Sequence, residues 1–376
     1  MEEERTRDDS SVPEMLEIKV PSATKDGEII RFEIKTVTTL TDFPSCEMST
    51  TRTFEDVEWL HNCLSVREDP GGSIVPPMPN RPASTAAEAE ALMKQEFGGE
   101  MRNMLADQIP KYCRSVEMFL CLLAKHARYR RSEPLKQFLV SEPLPPRVLA
   151  KLSMFKRATN VVKDKGLQSK KDPDEFFHGQ RGFVHESHQC MKDVNVVFHQ
   201  QLVAQRQFAM SLGAFASNIT KAGSSACSSI ESHTKLMTRF GQVMDQCQQS
   251  ENTLATSSEN SFAFTFCVFE KYLESSKDML NRRLRLLTES EAAAAAAVKA
   301  KASNKAKADA AREDAVQKFE EISRLGRTEL SLFHQLRVHS LQTALVTYCQ
   351  NQISTGRDTY AMLARSLSEL RQIDDE

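Results

Sequence analysis

All 14 prolines of this 376-residue chain lie at or before Pro173, and the 203 residues after it contain none. A proline inside a helix removes a backbone hydrogen bond and collides with the preceding turn, at a cost of about 3 kcal/mol. A proline-free stretch of that length, rich in Ala, Gln, Ser, Leu, Lys and Glu, is free to build very long helices. A change of architecture is therefore expected close to residue 173. From 174 on, apolar residues recur at spacings of three and four. One run holds Phe176, Phe183, Met191, Val194, Phe198, Leu202, Leu212, Phe215 and Ile219. It is expected to close at Lys221-Ala222-Gly223-Ser224, with glycine as the C-cap. A second run holds Ile230, Met237, Phe240, Met244, Cys247 and Leu254 and, after the polar stretch 255–260, resumes from Phe262 to Leu287. A third extends from Phe319 to Leu370. The spacing predicts an all-α bundle of three helices of roughly 47, 75 and 70 residues, with coiled-coil-like packing. Single apolar stripes leave surface that one chain cannot cover, so association with another chain is expected.

The first half has a different grammar. Residues 15–20 alternate Leu16, Ile18, Val20, and residues 29–35 alternate Ile30, Phe32, Ile34. Both read as half-buried strands, with Asp26-Gly27 as the hairpin signal between them. A third strand is expected at 46–54. Residues 56–64 place Val57, Leu60 and Leu64 on one helical face. The loop SIVPPMPNRP (73–82) cannot be helical and should run extended. Helices are expected at 84–106, 111–125 and 132–139, giving an α+β domain: a three-stranded antiparallel sheet plus helices.

Several function classes are excluded by what is missing. The formal net charge of −2 provides no global field towards nucleic acid or lipid. No run of about 18 apolar residues offers a membrane span. The charged start MEEERTRDDSS reads as a disordered tail over 1–13 rather than a secretory signal. The nine cysteines are irregularly spaced without a CxxC pair, as reduced cytosolic thiols are. No phosphate-binding glycine loop or GxSxG elbow occurs, so no enzyme, cofactor or catalytic residue is expected. His185 and His188, with His178 and His199 nearby, lack an indicated third ligand, and no metal is expected.

Two segments carry patterned charge. Residues 147–165 follow Pro145-Pro146 and combine an apolar stripe including Phe155 with Lys151, Lys156, Arg157 and Lys163. That is the composition of an interfacial helix, and equally of a linker helix docked on the next domain. The stretch EAAAAAAVKAKASNKAKADAA (291–311) forms helix readily but cannot pack a core. It presents Lys299, Lys301, Lys305 and Lys307 with no acid between Glu291 and Asp309. Such a tip suits anionic lipid, at about 1 kcal/mol per lysine, or is a solvated hairpin.

Two stretches bring a family into view. TRTFEDVEWLHNCL (51–64) followed by IVPPMPNRP (74–82) resembles the phosphoinositide-binding PX fold. FFHGQRGFVHESHQ (176–189) with KYLESSKDMLNRRLRLL (271–287) resembles the BAR module of sorting nexins. FEIKTVTTLTDF (32–43) is similar to the retromer-associated branch of PX–BAR sorting nexins, which pair with a second, different sorting nexin. The resemblance implies a tail at 1–13, a PX domain at 14–143 with a helical insertion at about 83–112, an amphipathic linker at 144–170 and a BAR domain at 171–376. It implies a phosphoinositide pocket at Arg52, Thr53, Phe54 and Arg81. Thr53 stands where the family has the arginine that grips the 3-phosphate, and Tyr112 and Cys113 stand where a further arginine is expected. It also implies a groove for cargo-receptor tails at Leu105, Ile109, Cys113 and Glu117. Implied partners are another PX–BAR sorting nexin, receptor tails and anionic, phosphoinositide-containing membrane, not nucleic acid. The expected setting is cytoplasmic, peripheral on early endosome membranes. The rival expectation is a soluble coiled-coil scaffold that binds only proteins.

Overall fold

The computed structural model describes residues 14–67, 71–83, 85, 88, 108–140, 144, 171–224 and 231–373. The expected tail at 1–13, the helix at 147–165, most of the insertion at 83–112 and Leu105 lie outside the described residues. Two compact units are distinguished. One contains the described residues up to His178 together with Ser275–Glu329; the other contains Gly179–Glu274 and Leu330 onward.

In the first unit, β1 (Leu16–Asp26), β2 (Ile29–Thr38) and β3 (Glu47–Thr53) form an antiparallel sheet in the order β1-β2-β3. Asp26 pairs with Ile29, leaving Gly27 and Glu28 as a two-residue hairpin loop. Gly27 has φ of 61°, the positive value a II′ turn requires at its first position. The β1 strand is longer than its alternating apolar core because exposed Ser22–Asp26 continues the pairing. The register shifts between Lys19 and Ser22, where Pro21 has no amide to donate.

Helix α1 (Phe54–Asn62) starts two residues before the expected position, because Thr53 caps it. A π-helical turn, Cys63–Arg67, continues it. Helix α2 (Ile109–Lys125) places Pro110 in its first turn. Proline there begins a helix rather than interrupting one, since that amide has no partner within the helix. Helix α3 (Glu133–Val140) closes the domain. Phe32, Ile34, Val57, Leu60, Val116, Leu120 and Phe138 share one buried core between the sheet and these helices.

The proline-free half is helical as its periodicity predicts. Helix α4 spans Glu175–Ser224 and α5 spans Glu231–Ser258. The second helix runs on through the polar stretch 255–260, as its expected length requires: a π-helical turn, Glu259–Ala263, carries it into α6 (Phe264–Lys299). Helix α7 spans Lys305–Gln372. Gly223 does not act as a C-cap. It lies inside α4, and a Cβ there would come within 2.6 Å of the Met237 Cβ, so its role is close helix approach. In the second unit Phe198, Phe262, Phe266 and Tyr348 cluster, with Phe198 and Phe262 centroids 4.4 Å apart.

Candidate functional site

The residues expected to read a phosphoinositide are all engaged within the protein. Thr53 is the N-cap of α1. Its Oγ accepts from the Asp56 amide at 3.3 Å, and the Asp56 carboxylate accepts from the Thr53 amide at 2.8 Å, closing a capping box. Arg52 is buried; its Nε donates to the Phe138 carbonyl at 2.7 Å and its guanidinium lies over the Phe138 ring. Arg81 pairs with Glu55 and, at 3.2 Å, with Glu58, both on α1, and lies 5.9 Å from the Phe54 ring centroid. Phe54 itself is buried in the core. Tyr112 accepts a hydrogen bond from the Ala83 amide at 3.2 Å, and Cys113 is buried. Replacing Thr53 by arginine therefore removes a cap rather than filling a vacancy. Thr53→Arg is expected to destabilise the protein by about 1 kcal/mol in urea titrations. It should add no measurable affinity for short-chain phosphatidylinositol 3-phosphate in calorimetry.

The proline-rich loop is held in the same unit by the long helices. Gly72 approaches Gly326 so closely that a Cβ on Gly72 would lie 2.7 Å from the Gly326 amide nitrogen. Only glycine fits between two backbones at that distance. Arg282 donates to the carbonyls of Gly71 at 3.3 Å and Ser73 at 2.7 Å. Glu329 accepts from the Ile74 amide at 3.1 Å and meets His126 Nε2 at 2.8 Å. These residues were not singled out from the sequence. The doublets Gly71-Gly72 and Arg282-Arg283 were the available signals.

Ile109, Cys113 and Glu117 fall four residues apart on α2, along β1. The Glu117 carboxylate accepts from the Val20 amide at 2.7 Å, and the Cys121 thiol donates to the Ile18 carbonyl at 3.4 Å. Ile109 packs against the core in part, and Cys113 is inside it. The outer edge of β1 is thus satisfied by side chains from α2 at both positions.

At the junction of α6 and α7, the chain turns through Ala302–Asn304. Lys299, Lys301, Lys305 and Lys307 are all exposed. Lys305 differs from the others: its Nζ donates to the Ala297 carbonyl at 2.7 Å and pairs with Asp309 at 3.4 Å. It closes the C-terminus of α6, where unpaired carbonyls and the helix dipole favour a cation.

In the second unit the exposed apolar residues of α7 recur every seven positions: Val346, Ile353, Tyr360 and Leu367. Val338 and Leu345 lead into this line, and Val194, Val197, Phe208 and Phe215 are exposed on α4. Between Arg337 and Arg357 the sequence holds no Asp, Glu, Lys or Arg. From Phe240 to Glu270 there is no Lys or Arg and there are four acids. Three of those acids bind α4: Glu251 to Gln205 at 3.1 Å, Glu259 to Arg206 and Glu270 to Asn195.

Among the described residues no group of three side chains could hold a metal, and no helix is long and apolar enough to cross a membrane. All eight described cysteines are free thiols.

A three-stranded sheet with its capped helix and proline loop, joined to a bundle of long helices with an uncovered heptad stripe, defines a PX–BAR protein. The PX domain family matches residues 41–142, and the Vps5 C-terminal-like family matches residues 151–363. The second match covers more than half of the chain, which therefore belongs to the Vps5 C-terminal-like family and is a PX–BAR sorting nexin. The chain is 26% identical to Sorting nexin-6 of Homo sapiens over 94% of its length and 91% of that protein. It is 23% identical to Sorting nexin-32 of Mus musculus, over 95% and 93%. The solved structure described as the cryo-EM structure of the SNX-BAR Mvp1 tetramer shares the fold. Its TM-score is 0.59 at 12% identity, covering 95% of this chain and 99% of that one.

Proposed function

We propose that this chain is one subunit of a dimeric PX–BAR sorting nexin that remodels endosomal membrane, with its PX domain used for protein rather than lipid recognition. Membrane remodelling in endosomal trafficking is the work of the family, and its members are peripheral adaptors on endosomes. The observation that carries the finer reading is the apolar stripe from Val338 to Leu367, half or more exposed along most of its length and free of charge over its first half. A monomeric protein rarely leaves an ordered apolar line of that extent to water. The occupant it suits is a second PX–BAR chain of different sequence, assembled on early endosomes.

Membrane contact in this reading falls to the α6–α7 tip and to the linker at 144–170 with Lys151, Phe155, Lys156, Arg157 and Lys163. The stretch from Phe240 to Glu270 has no cation to offer, so the partner chain supplies the central positive surface. The PX domain, its would-be headgroup arginines tied to Phe138, Glu55 and Glu58, offers the α2–β1 groove to receptor tails. A tail adding as a strand takes the Val20 amide from Glu117 and rests on Ile109, while Cys113, buried in the core, is not available to it.

The cation-free stretch also favours a second reading, a scaffold that binds only proteins. Co-sedimentation separates the two, using vesicles of phosphatidylcholine, phosphatidylserine and phosphatidylinositol 3-phosphate at about 0.1 M salt, where screening acts beyond about 10 Å. The chain paired with a second sorting nexin is expected to pellet with the vesicles; a pair left in the supernatant supports the scaffold. Changing Lys299, Lys301 and Lys307 together to glutamate is expected to weaken binding on the order of 100-fold, from about 1 kcal/mol per lysine. The dimer should survive, because none of the three makes an ion pair among the described residues. Lys305 is left unchanged because it closes α6.

A further inference from the structure

Val298 is the most exposed large apolar side chain among the described residues, at 83%. The other strongly exposed ones, such as Tyr360 and Ile353, lie on helix lines in the second unit, where a partner helix can cover them in series. Val298 lies on no such line. It sits in the last turn of α6, which ends at Lys299, and it is the sole apolar side chain larger than alanine between Glu291 and Ala311. A partner helix needs a row of contacts and finds none here. A single protruding apolar group at a helix end fits a fluid apolar phase instead.

The surroundings of Val298 state the chemistry of that phase. Lys299, Lys301 and Lys307 are exposed and make no ion pair among the described residues. No acid occurs from Ala292 to Ala308. The turn itself is fixed: the Ala297 side chain is buried, its carbonyl accepts from Lys305, and the Asn304 amide donates to the Lys301 carbonyl at 2.9 Å. A pre-ordered tip pays little conformational entropy to present its side chains.

We propose that Val298 is a hydrophobic anchor that enters the acyl region of an anionic bilayer while Lys299, Lys301 and Lys307 contact the headgroups. The proposal rests on the membrane reading above and adds a depth to it: lysines alone bind at the surface, whereas valine has to pass the headgroups. Full burial of a valine side chain is worth on the order of tenfold in affinity for each tip.

The test places a tryptophan at the anchor, in the full-length chain with its sorting-nexin partner. Trp59 is the sole native tryptophan and is buried, so Val298→Trp is made in a Trp59→Phe background. If that background fails to fold by circular dichroism, Val298→Trp is read by difference against the parent spectrum. With phosphatidylserine vesicles containing brominated phosphatidylcholine, emission at position 298 is expected to shift to the blue and be quenched. Val298→Asp is expected to weaken sedimentation about tenfold, and Val298→Ala less. A vesicle-bound protein whose tryptophan stays red-emitting and unquenched overturns insertion and leaves the headgroup contact standing. A parent complex that does not pellet overturns both.

Discussion

Replacing Arg283 by methionine is expected to lower the stability of the protein by 3–5 kcal/mol, roughly the cost of breaking a buried ion pair from one side. Arg283 is 1% exposed on α6. It binds the Asp172 carboxylate, donates from Nε to Ser323 Oγ at 2.9 Å, and stacks 3.6 Å from the Phe177 ring centroid. Burial pushes the guanidinium pKa down, and Asp172 opposes the shift. Methionine fills much of the volume but leaves the Asp172 carboxylate, 3% exposed, without a counter-ion. The damage also spreads along the chain. Asp172 accepts from the Asp174 amide, and Asp174 accepts from the Phe176 amide, so the pair anchors the first turn of α4. Urea titration followed by circular dichroism reads the loss. The double variant Asp172→Asn/Arg283→Met removes the stranded charge and is expected to recover part of it. An unchanged midpoint in the single variant would show that the Arg283–Asp172 pair does not hold the fold together.

The double variant Ile353→Asp/Tyr360→Asp is expected to weaken dimerisation by at least about 1000-fold while leaving the monomer folded. Each side chain contributes about 1.5–3 kcal/mol when an interface covers it, and a carboxylate buried in its place costs more. Both positions are exposed in the isolated chain, at 54% and 75%, so neither change opens a cavity. Sedimentation equilibrium with a second sorting nexin measures the loss, and the helical signal should be unchanged. A dimer of wild-type strength would remove the stripe from the interface. The two experiments are complementary: the arginine tests what holds the fold, the stripe tests what the fold is held out to meet.

Much of this architecture is legible in one dimension because it is local. Periodicity over many turns is a strong signal, so the long helices were legible to within a few residues. The places where the reading slipped are those where a residue acts through a distant neighbour. Gly223 has the sequence context of a helix terminator, yet Met237 decides its role by close approach. The second helix was expected to continue through the polar stretch 255–260 and does, but its π-helical turn and the Glu259 pairing to Arg206 on α4 were not legible. Pro110 lies just before the helix expected at 111–125, yet it belongs to that helix's first turn, because helix starts are the least sharply marked feature of a pattern.

The PX pocket divides in the same way. That Thr53 stands where an arginine is expected is what the resemblance to the PX fold implies. The capping box joins Thr53 to Asp56 only three residues on, a local spacing, but that Arg52 donates to Phe138 and that Arg81 answers to Glu55 and Glu58 was not readable. Partners so far apart in sequence are chosen by packing, and no spacing rule connects 52 with 138. The Gly72–Gly326 approach and the Glu329 bond to the Ile74 amide span more than 250 positions and were equally hidden.

The distribution of proline, the apolar period and the run of lysines at 299–307 therefore determined by themselves that this chain would build a small mixed domain, long helices and a cationic tip. Each follows from propensity or periodicity, properties a residue carries wherever it sits. Only the tertiary structure decided which cations remain available: Lys305 is taken by the end of α6, Arg81 and Arg52 by the PX domain, and Arg206 by Glu259. A charge in a sequence is a capacity to bind. Whether it binds outward or inward depends on which acids and carbonyls the fold brings within about 3 Å.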